Sequence, residues 1–151
     1  DTSGDALGAA LSGAQGALPY AVKPNRHELE AWTGTPLPDR NALQAAGVAL
    51  VERGVALVAI SMGIDGALFI DRGGALVARP AHLAQGSTVG AGDAMVAGIA
   101  AALLEPSFDL AGCARLATAF SMSRLESGDA RRLDPAQVRQ WTGDVLIERL
   151  D

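Results

Sequence analysis

The order of apolar and polar positions along the chain predicts helices in its first third, followed by a buried strand. Apolar residues recur at helical spacing over 5–14, 26–33 and 41–53, and Gly34 and Gly54 stand where the second and third helices end. By contrast, 55–61 is a continuous apolar run of strand length, which is typical of a strand buried on both faces.

The remaining pattern alternates strands with helices. Short strands are expected over 20–23, 67–70, 75–78 and 145–150, the middle two joined by a tight hairpin. Helices are expected over 93–104 and 110–125, with a short helix from Pro135. This alternation indicates the α/β class, with a mostly parallel central sheet and helices on both of its faces. Because no repeat or linker interrupts the pattern, we expect a single domain over 1–151.

Composition narrows the classes of protein to consider. Of the 151 residues, 49% are hydrophobic and 19% are charged, as in folded globular proteins rather than disordered ones. The net charge of −5 gives no basic surface for nucleic acid or an anionic membrane, and the apolar run over 94–104 is too short to span a bilayer. Cys113 is the single cysteine, so an intrachain disulfide is excluded. We therefore expect a soluble cytoplasmic protein without a nucleic-acid or membrane partner.

A glycine-rich segment over 86–92, directly before an apolar helix, is the most informative part of the sequence. Glycines let the backbone turn so that several N–H groups point into one concavity, and the helix dipole adds positive potential there. Gly90, Ala91 and Gly92 are therefore candidate anion-binding residues that need no lysine. Asp93 follows at the mouth of this cradle, where a general base could take the proton of an incoming hydroxyl group.

Two common phosphate-binding patterns do not fit this segment. A Walker A loop ends in Gly-Lys-Ser or Gly-Lys-Thr, which the sequence lacks. A dinucleotide fingerprint places glycine where Met95 stands. A structural alternative stays open, in which Asp93 is an ordinary N-cap and the glycines form a packing turn.

Two shorter motifs precede the glycine-rich segment. Asn25 and Glu28 are three residues apart at the start of a predicted helix, so they share one face, and the same pattern is that of a capping box. Ser61, Gly63 and Gly66 follow the buried strand, at the carboxyl end where ligands gather in parallel α/β sheets. Taken alone, an ordinary connection between two strands explains this second motif equally well.

Together the three motifs resemble the PfkB family of ribokinase-like sugar kinases. Residues 87–100 resemble the second signature of that family, and the Asn-x-x-Glu and Ser-x-Gly-x-x-Gly motifs stand in the family's order. The resemblance implies a three-layer ribokinase-like fold, of which this chain is the C-terminal half without the N-terminal sugar-binding and lid portion. It also implies that Asp93 is the catalytic base and that 90–92 form the anion hole.

The resemblance implies roles for further residues. Asn25 and Glu28 would organise Mg²⁺, and 118–121 would line an adenine pocket. The nucleotide-binding residues implied by the family are Asn25, Ser61, Gly63, Gly66, Thr88, Gly90 and Gly92. ATP and Mg²⁺ are accordingly the expected cofactors.

The implied activity is transfer of a phosphoryl group from ATP to a primary hydroxyl of a sugar phosphate. Val89, just before Gly-Ala-Gly-Asp, together with residues 1–4 and 23–25, resembles the sugar-phosphate kinases of the family. Among these, the resemblance favours the branch of 1-phosphofructokinases, which convert fructose 1-phosphate to fructose 1,6-bisphosphate. Tagatose-6-phosphate kinases and 6-phosphofructokinases of the same family are alternatives, as is a nucleotide-binding fragment without activity. An unrelated α/β protein is a third alternative, against which the failed dinucleotide spacing counts. A homodimer is expected for the full-length protein.

Overall fold

The computed structural model describes residues 4–13, 17–82, 88–127 and 133–150. Within these ranges, the helices are α1 (Gly4–Leu11), α2 (Arg26–Thr33), α3 (Arg40–Arg53), α4 (Ala91–Leu103), α5 (Leu110–Glu126) and α6 (Pro135–Asp144). The strands are β1 (Ala21–Val22), β2 (Leu57–Ser61), β3 (Ala67–Asp71), β4 (Gly74–Pro80) and β5 (Val145–Leu150).

The five described strands form one sheet in the order β1-β2-β3-β4-β5. Only β1 and β2 pair in parallel, and the other three pairings are antiparallel. The α/β class is thus confirmed, but the prediction of a mostly parallel sheet is wrong for this chain. For two of these pairings the reason is the length of the connections: a three-residue 3-10 turn over Gly63–Asp65 joins β2 to β3 and a tight turn joins β3 to β4, and such short connections can join only antiparallel neighbours. Strands β4 and β5 also pair antiparallel, although helices α4, α5 and α6 lie between them in the sequence.

Helices cover both faces of the sheet, which gives the expected three layers. Alternate strand residues point to opposite faces. Val58, Ile60 and Leu68 are buried in a core shared with α1, α2 and α3. Leu57 and Phe69 are buried in a second core shared with α4 and α5.

The helix ends follow local signals in the sequence. Asn25 caps α2 through its side chain, and the helix ends at Gly34 in the left-handed region, with φ +68°. α3 ends in the same way at Gly54, with φ +119°, as predicted. The start of α4 differs from the prediction, because the helix begins at Ala91 rather than Asp93. Gly90, with φ +82°, is the N-cap, so the helix starts two residues earlier than expected.

Among the residues that the structure describes, every helix is too short or too polar to cross a membrane. The cytoplasmic location stays a prediction of the sequence.

Candidate active site

A cleft of about 460 Å³ lies at the carboxyl end of β2. Its size is within the range of small-molecule sites, about 300–1,000 Å³. All three sequence motifs contribute to its walls. The predicted site residues that line it are Asn25, Ser61, Gly63, Gly66, Thr88, Ala91 and Gly92. Gly90, Asp93 and Glu28 are outside this lining, although each is adjacent to or within one turn of a residue that belongs to it.

Asn25 and Ser61 stand side by side at one rim of the cleft. The Ser61 N–H group donates to the carbonyl oxygen of Pro24 at 3.1 Å, and Asn25 and Ser61 form a parallel bridge. This proximity follows from the parallel pairing of β1 with β2, since the carboxyl ends of parallel strands meet at the same edge of a sheet. The structure therefore brings the first two motifs together.

The side chains of Asn25 and Glu28 form a capping box. Oδ1 of Asn25 accepts the Glu28 N–H group at 2.9 Å, and Oε2 of Glu28 accepts the Asn25 N–H group at 2.8 Å. The capping alternative is thus confirmed, and each side chain has a structural role in starting α2. Asn25 lies beside Ser61 and so remains in the cleft wall while its side-chain carboxamide caps α2.

Two glycines shape the turn after β2. Gly63 and Gly66 have φ +65° and +88°, values that residues with a Cβ rarely adopt. At Gly66 a Cβ would lie 2.2 Å from the carbonyl oxygen of Ala78, so the turn packs directly against β4. At Gly63 a Cβ would meet no heavy atom within 4 Å, which leaves that wall open to the cleft.

The glycine-rich turn supplies the opposite wall. Gly86 and Ser87 fall outside the described residues, and the description resumes at Thr88. The carbonyl oxygen of Thr88 accepts the Ala91 N–H group at 3.2 Å, and that of Gly90 accepts the Ala94 N–H group at 3.0 Å. The first N–H groups of a helix have no partner within the helix, so the start of α4 carries positive potential at the cleft.

Asp93 is not the N-cap of α4. Gly90 has that position and offers no side-chain cap, while Asp93 is the third residue of the helix. Its side chain is exposed, next to Gly92 in the cleft wall. The alternative in which Asp93 is an ordinary N-cap is therefore wrong.

Helix α5 closes the cleft behind the glycine-rich turn. Thr118 and Ser121 line it, as the family resemblance implied for 118–121, whereas Ala119 packs with α6. Ser121 Oγ donates to the carbonyl oxygen of Ala91 at 3.0 Å. Thr118 Oγ1 is buried without a partner in the described part of the chain. A buried hydroxyl in this state costs about 1–3 kcal/mol, which a polar atom of a ligand or a water held with it could recover.

Five apolar residues of the cleft were not among the predicted site residues. These are Ile64, Pro80, Met95, Met122 and Leu125. The α5 members could have been found from the sequence, because 118, 121, 122 and 125 recur at helical spacing and so share one face. Pairing that face with the glycine-rich turn required the tertiary structure.

The lining contains no charged side chain within the described residues. Its polar groups are hydroxyls, one carboxamide and backbone amides, and its other walls are apolar. An anionic group in this cleft would depend on the amides at the start of α4, and a flat apolar group would fit beside Ile64, Met95 and Leu125.

The residues predicted for Mg²⁺ supply one carboxylate, that of Glu28, so water and phosphate oxygens would complete the shell of the ion. Within the described ranges, no three or more His, Cys, Asp or Glu side chains converge on one point that could hold a metal. Glu28 is half-buried and one of its oxygens accepts the Asn25 N–H group. Because Mg²⁺ keeps several waters and often takes only one or two carboxylates together with phosphates, Glu28 remains a candidate for a water-mediated contact.

Comparison with known proteins agrees with this geometry. The chain matches the pfkB family of carbohydrate kinases over residues 2–137. It is 66% identical over 147 residues to the 1-phosphofructokinase of Xanthomonas campestris, covering 97% of this chain and 46% of that protein. It is 50% identical over 151 residues to the 1-phosphofructokinase of Rhodobacter capsulatus, covering 99% of this chain and 46% of that protein. This chain therefore spans about half the length of the curated relatives it matches.

A solved structure shows the same fold. Phosphofructokinase-2 from Escherichia coli, crystallised in complex with substrates and products, superposes with a TM-score of 0.84 at 30% identity. The match covers 93% of this chain and 45% of that one. Together with the family match over most of its length, this likeness shows that the chain belongs to the pfkB family of carbohydrate kinases.

Proposed function

We propose that the protein containing this chain transfers the γ-phosphoryl group of ATP to a primary hydroxyl of fructose 1-phosphate. One observation carries the proposal: the start of α4 puts Gly92 in the wall of a cleft that the other two motifs complete, and the next residue, Asp93, is an exposed carboxylate. The high identity to two 1-phosphofructokinases supports this acceptor over the related sugar phosphates.

ATP suits the cleft by its size and by the distribution of its polar groups. The phosphates would lie at the start of α4, where the Gly92 N–H group and the helix dipole favour negative charge. The base would lie against Ile64, Met95 and Leu125, with Thr118 in the adjoining wall. Gly63, which has open space where a side chain would project, leaves room for the nucleotide.

Asp93 would act on the acceptor hydroxyl. The primary hydroxyl of the acceptor attacks the γ-phosphoryl group as ADP departs, and the carboxylate of Asp93 takes the proton of that hydroxyl. Phosphoryl transfer has a loose transition state, so positioning and charge stabilisation matter more than the strength of this base. The exposed position of Asp93 leaves its carboxylate open to an acceptor that approaches from outside the nucleotide cleft.

The amides of Gly90 and Gly92 would stabilise charge on the transferring group, whereas the Ala91 N–H group already donates to the carbonyl oxygen of Thr88. Backbone N–H groups fixed in a helix start cost no reorganisation when charge develops beside them. When bound, Mg²⁺ supplies further positive charge to the phosphates. Asn25 and Glu28 would hold that ion through water, since both side chains also form the capping box.

Two variants test this assignment in the protein as its gene encodes it. Asp93→Ala should retain ATP binding within about twofold and lose phosphoryl transfer by a factor of about 10² or more, because general-base catalysis is worth about 10²–10⁴-fold. Binding is measured by isothermal titration and transfer with fructose 1-phosphate, tagatose 6-phosphate and fructose 6-phosphate. The matched control is Glu105→Ala, which removes an exposed carboxylate beyond the other end of α4 and should change neither quantity.

Other outcomes would redirect the proposal. Transfer that survives in Asp93→Ala would show that another group is the base. A faster reaction with tagatose 6-phosphate or fructose 6-phosphate would keep the kinase and change its acceptor. Nucleotide binding without transfer is a second candidate function, because the cleft alone offers hydroxyls, backbone amides and apolar walls to a nucleotide. ATP binding by the wild type with no transfer to any of the three acceptors would favour it. A dimer of the full-length protein also stays a proposal, which analytical ultracentrifugation tests.

A further inference from the structure

We propose that Ser121 is a positioning residue that fixes the Gly92 amide in the anion cradle. Ser121 is on α5, outside the three motifs, and its side chain is 5% exposed. The inference rests on the proposed function, because it assigns Ser121 a part in phosphoryl transfer without contact to the reacting atoms.

The first step is the hydrogen bond between the two helices. Ser121 Oγ donates to the carbonyl oxygen of Ala91 at 3.0 Å, across thirty residues of sequence. Ala91 is the first residue of α4, so this bond reaches the helix at its start. A buried hydroxyl bound to a carbonyl of another element fixes the two elements in one register.

The second step is the geometry of one peptide group. The Ala91 carbonyl and the Gly92 N–H group belong to the same planar trans peptide, so they point in opposite directions. Fixing the Ala91 oxygen from α5 therefore fixes the direction of the N–H group of Gly92, a residue of the cleft wall. A hydrogen bond at the oxygen also polarises the peptide, which strengthens its N–H group as a donor.

The third step is the close approach of α4 and α5, which makes the bond possible. A Cβ at Gly98 would lie 2.7 Å from Cα of Ala117, so the helices touch through their backbones there. On the antiparallel partner α5, Ser121 is one turn beyond Ala117, and Arg124 is close to one turn further. A Cβ at Gly90 would lie 3.1 Å from Nε of Arg124. One face of α5 thus supports the glycine-rich turn at two successive residues, Gly90 and Ala91.

Ser121→Ala removes the hydroxyl and leaves the helix. Ser123→Ala is the matched control: Ser123 is on the same helix, is 0% exposed, and donates to Oε1 of Gln137 at 3.3 Å, which is on α6. Both variants lose a buried hydroxyl, so both should lose a comparable amount of stability. Only Ser121→Ala should loosen the Gly92 amide. Ser121→Thr retains a hydroxyl at the same position and serves as the rescue.

The direct measurement is the ¹⁵N order parameter of the Gly92 amide by NMR relaxation, which reports its motion on the ps–ns timescale. It should fall in Ser121→Ala, remain at the wild-type value in Ser123→Ala, and recover in Ser121→Thr. The kinetic measurement is the division of the effect between kcat and KM. In Ser121→Ala, kcat should fall about tenfold with KM for ATP within about twofold, because a loosely held donor loses transition-state stabilisation more than ground-state binding.

An unchanged order parameter for Gly92 in Ser121→Ala would overturn the inference, whatever the activity. An altered order parameter with unchanged kcat would overturn it as well, since the bond would then be structural only. Wild-type protein that transfers no phosphoryl group to any ketohexose phosphate would instead refute the proposed function. The structural part of the inference would then be decided by the NMR comparison of the three variants.

Discussion

Gly98 of α4 packs directly on the backbone of Ala117 of α5. A Cβ at position 98 would lie 2.7 Å from Cα of Ala117 and 3.0 Å from the carbonyl oxygen of Leu116. Since backbone atoms cannot move aside as the tip of a side chain can, only glycine permits this separation of the two helices. The contact positions the α5 wall of the cleft against the glycine-rich turn.

Gly98→Ala should therefore destabilise the protein by about 1–3 kcal/mol, the usual cost of overpacking a core. Thermal and urea unfolding measure the change. Gly143→Ala in α6 is the matched control: a Cβ there meets no heavy atom within 4 Å, so it should stabilise the helix by about 0.5–1 kcal/mol. Equal effects of the two substitutions would mean that α4 and α5 do not touch as closely as described.

The elements themselves could be predicted from the sequence because their signals are local. The apolar run before Ser61, the Asn25 cap and the glycines after α2 and α3 each act within a few residues, and the structure has these elements within one or two residues of the expected bounds. The hairpin of β3 and β4 could be predicted as well, but the direction of the other strand pairings could not. Alternation of strands and helices suggests parallel crossovers, but the turn over Gly63–Asp65 folds β3 straight back on β2.

The capping box gives a way to separate a structural from a metal-related role of Glu28. Asn25→Ala should destabilise the protein by about 1 kcal/mol, because it leaves the Glu28 N–H group without its acceptor. Glu28→Gln retains an oxygen that can accept the Asn25 N–H group, so the free energy of unfolding should change by less than about 0.5 kcal/mol.

The same Glu28→Gln variant removes a negative charge. If Glu28 holds Mg²⁺ through water, the concentration of Mg²⁺ for half-maximal activity should rise about tenfold, as for other outer-shell contacts to metals. Unchanged dependence on Mg²⁺ together with unchanged stability would limit Glu28 to its cap. A large loss of stability would show instead that the capping box requires the charge.

The buried thiol of Cys113 makes stability depend on pH in the alkaline range. Burial, together with the smaller effect of the negative charges of Asp109 and Asp71, raises the pKa of Cys113 from 9.0 to about 11. Between these two values the thiol ionises in the unfolded chain but not in the folded one, so the unfolded state is favoured as pH rises. The contribution of Cys113 to stability is thus complete below pH 9 and is lost as pH approaches 11.

Urea unfolding of the wild type and of Cys113→Ala at several pH values from 8 to about 10.5 tests this. The wild type should lose on the order of 1 kcal/mol per pH unit more than the variant above pH 9. The comparison uses the slopes of the free energy of unfolding against pH. In these slopes the contributions of other groups that titrate in this range cancel between the two proteins, and the constant cost of the lost side-chain volume drops out. Parallel curves would show that the thiol ionises in the folded protein as readily as in the unfolded one.

The candidate site was predictable in its motifs but not in its assembly. Asn25, Ser61 and Gly92 belong to separate motifs whose order in sequence does not say that they share one cleft. Thr118 and Ser121 reach that cleft only because α5 packs antiparallel on α4, and no feature within α5 alone specifies this partner. The candidate roles of these residues could thus be assigned from local chemistry. The cleft wall that they form depends on contacts between residues far apart in the chain.

Gly63 and Gly66 should respond differently to the same substitution, although both have positive φ. Gly66→Ala should destabilise the protein by more than about 2 kcal/mol, because a Cβ would lie 2.2 Å from the carbonyl oxygen of Ala78 in addition to the strain of a left-handed residue. Gly63→Ala meets no atom and should cost only about 1 kcal/mol of stability, the penalty of that backbone region.

The methyl group introduced by Gly63→Ala, however, would project from the wall of the proposed nucleotide cleft. We therefore expect Gly63→Ala to weaken ATP binding about tenfold while the protein stays folded, as measured by isothermal titration and circular dichroism. ATP affinity that is unchanged in a folded Gly63→Ala protein would mean that the nucleotide does not lie along this turn, and the phosphate position at the start of α4 would then have to be tested by itself.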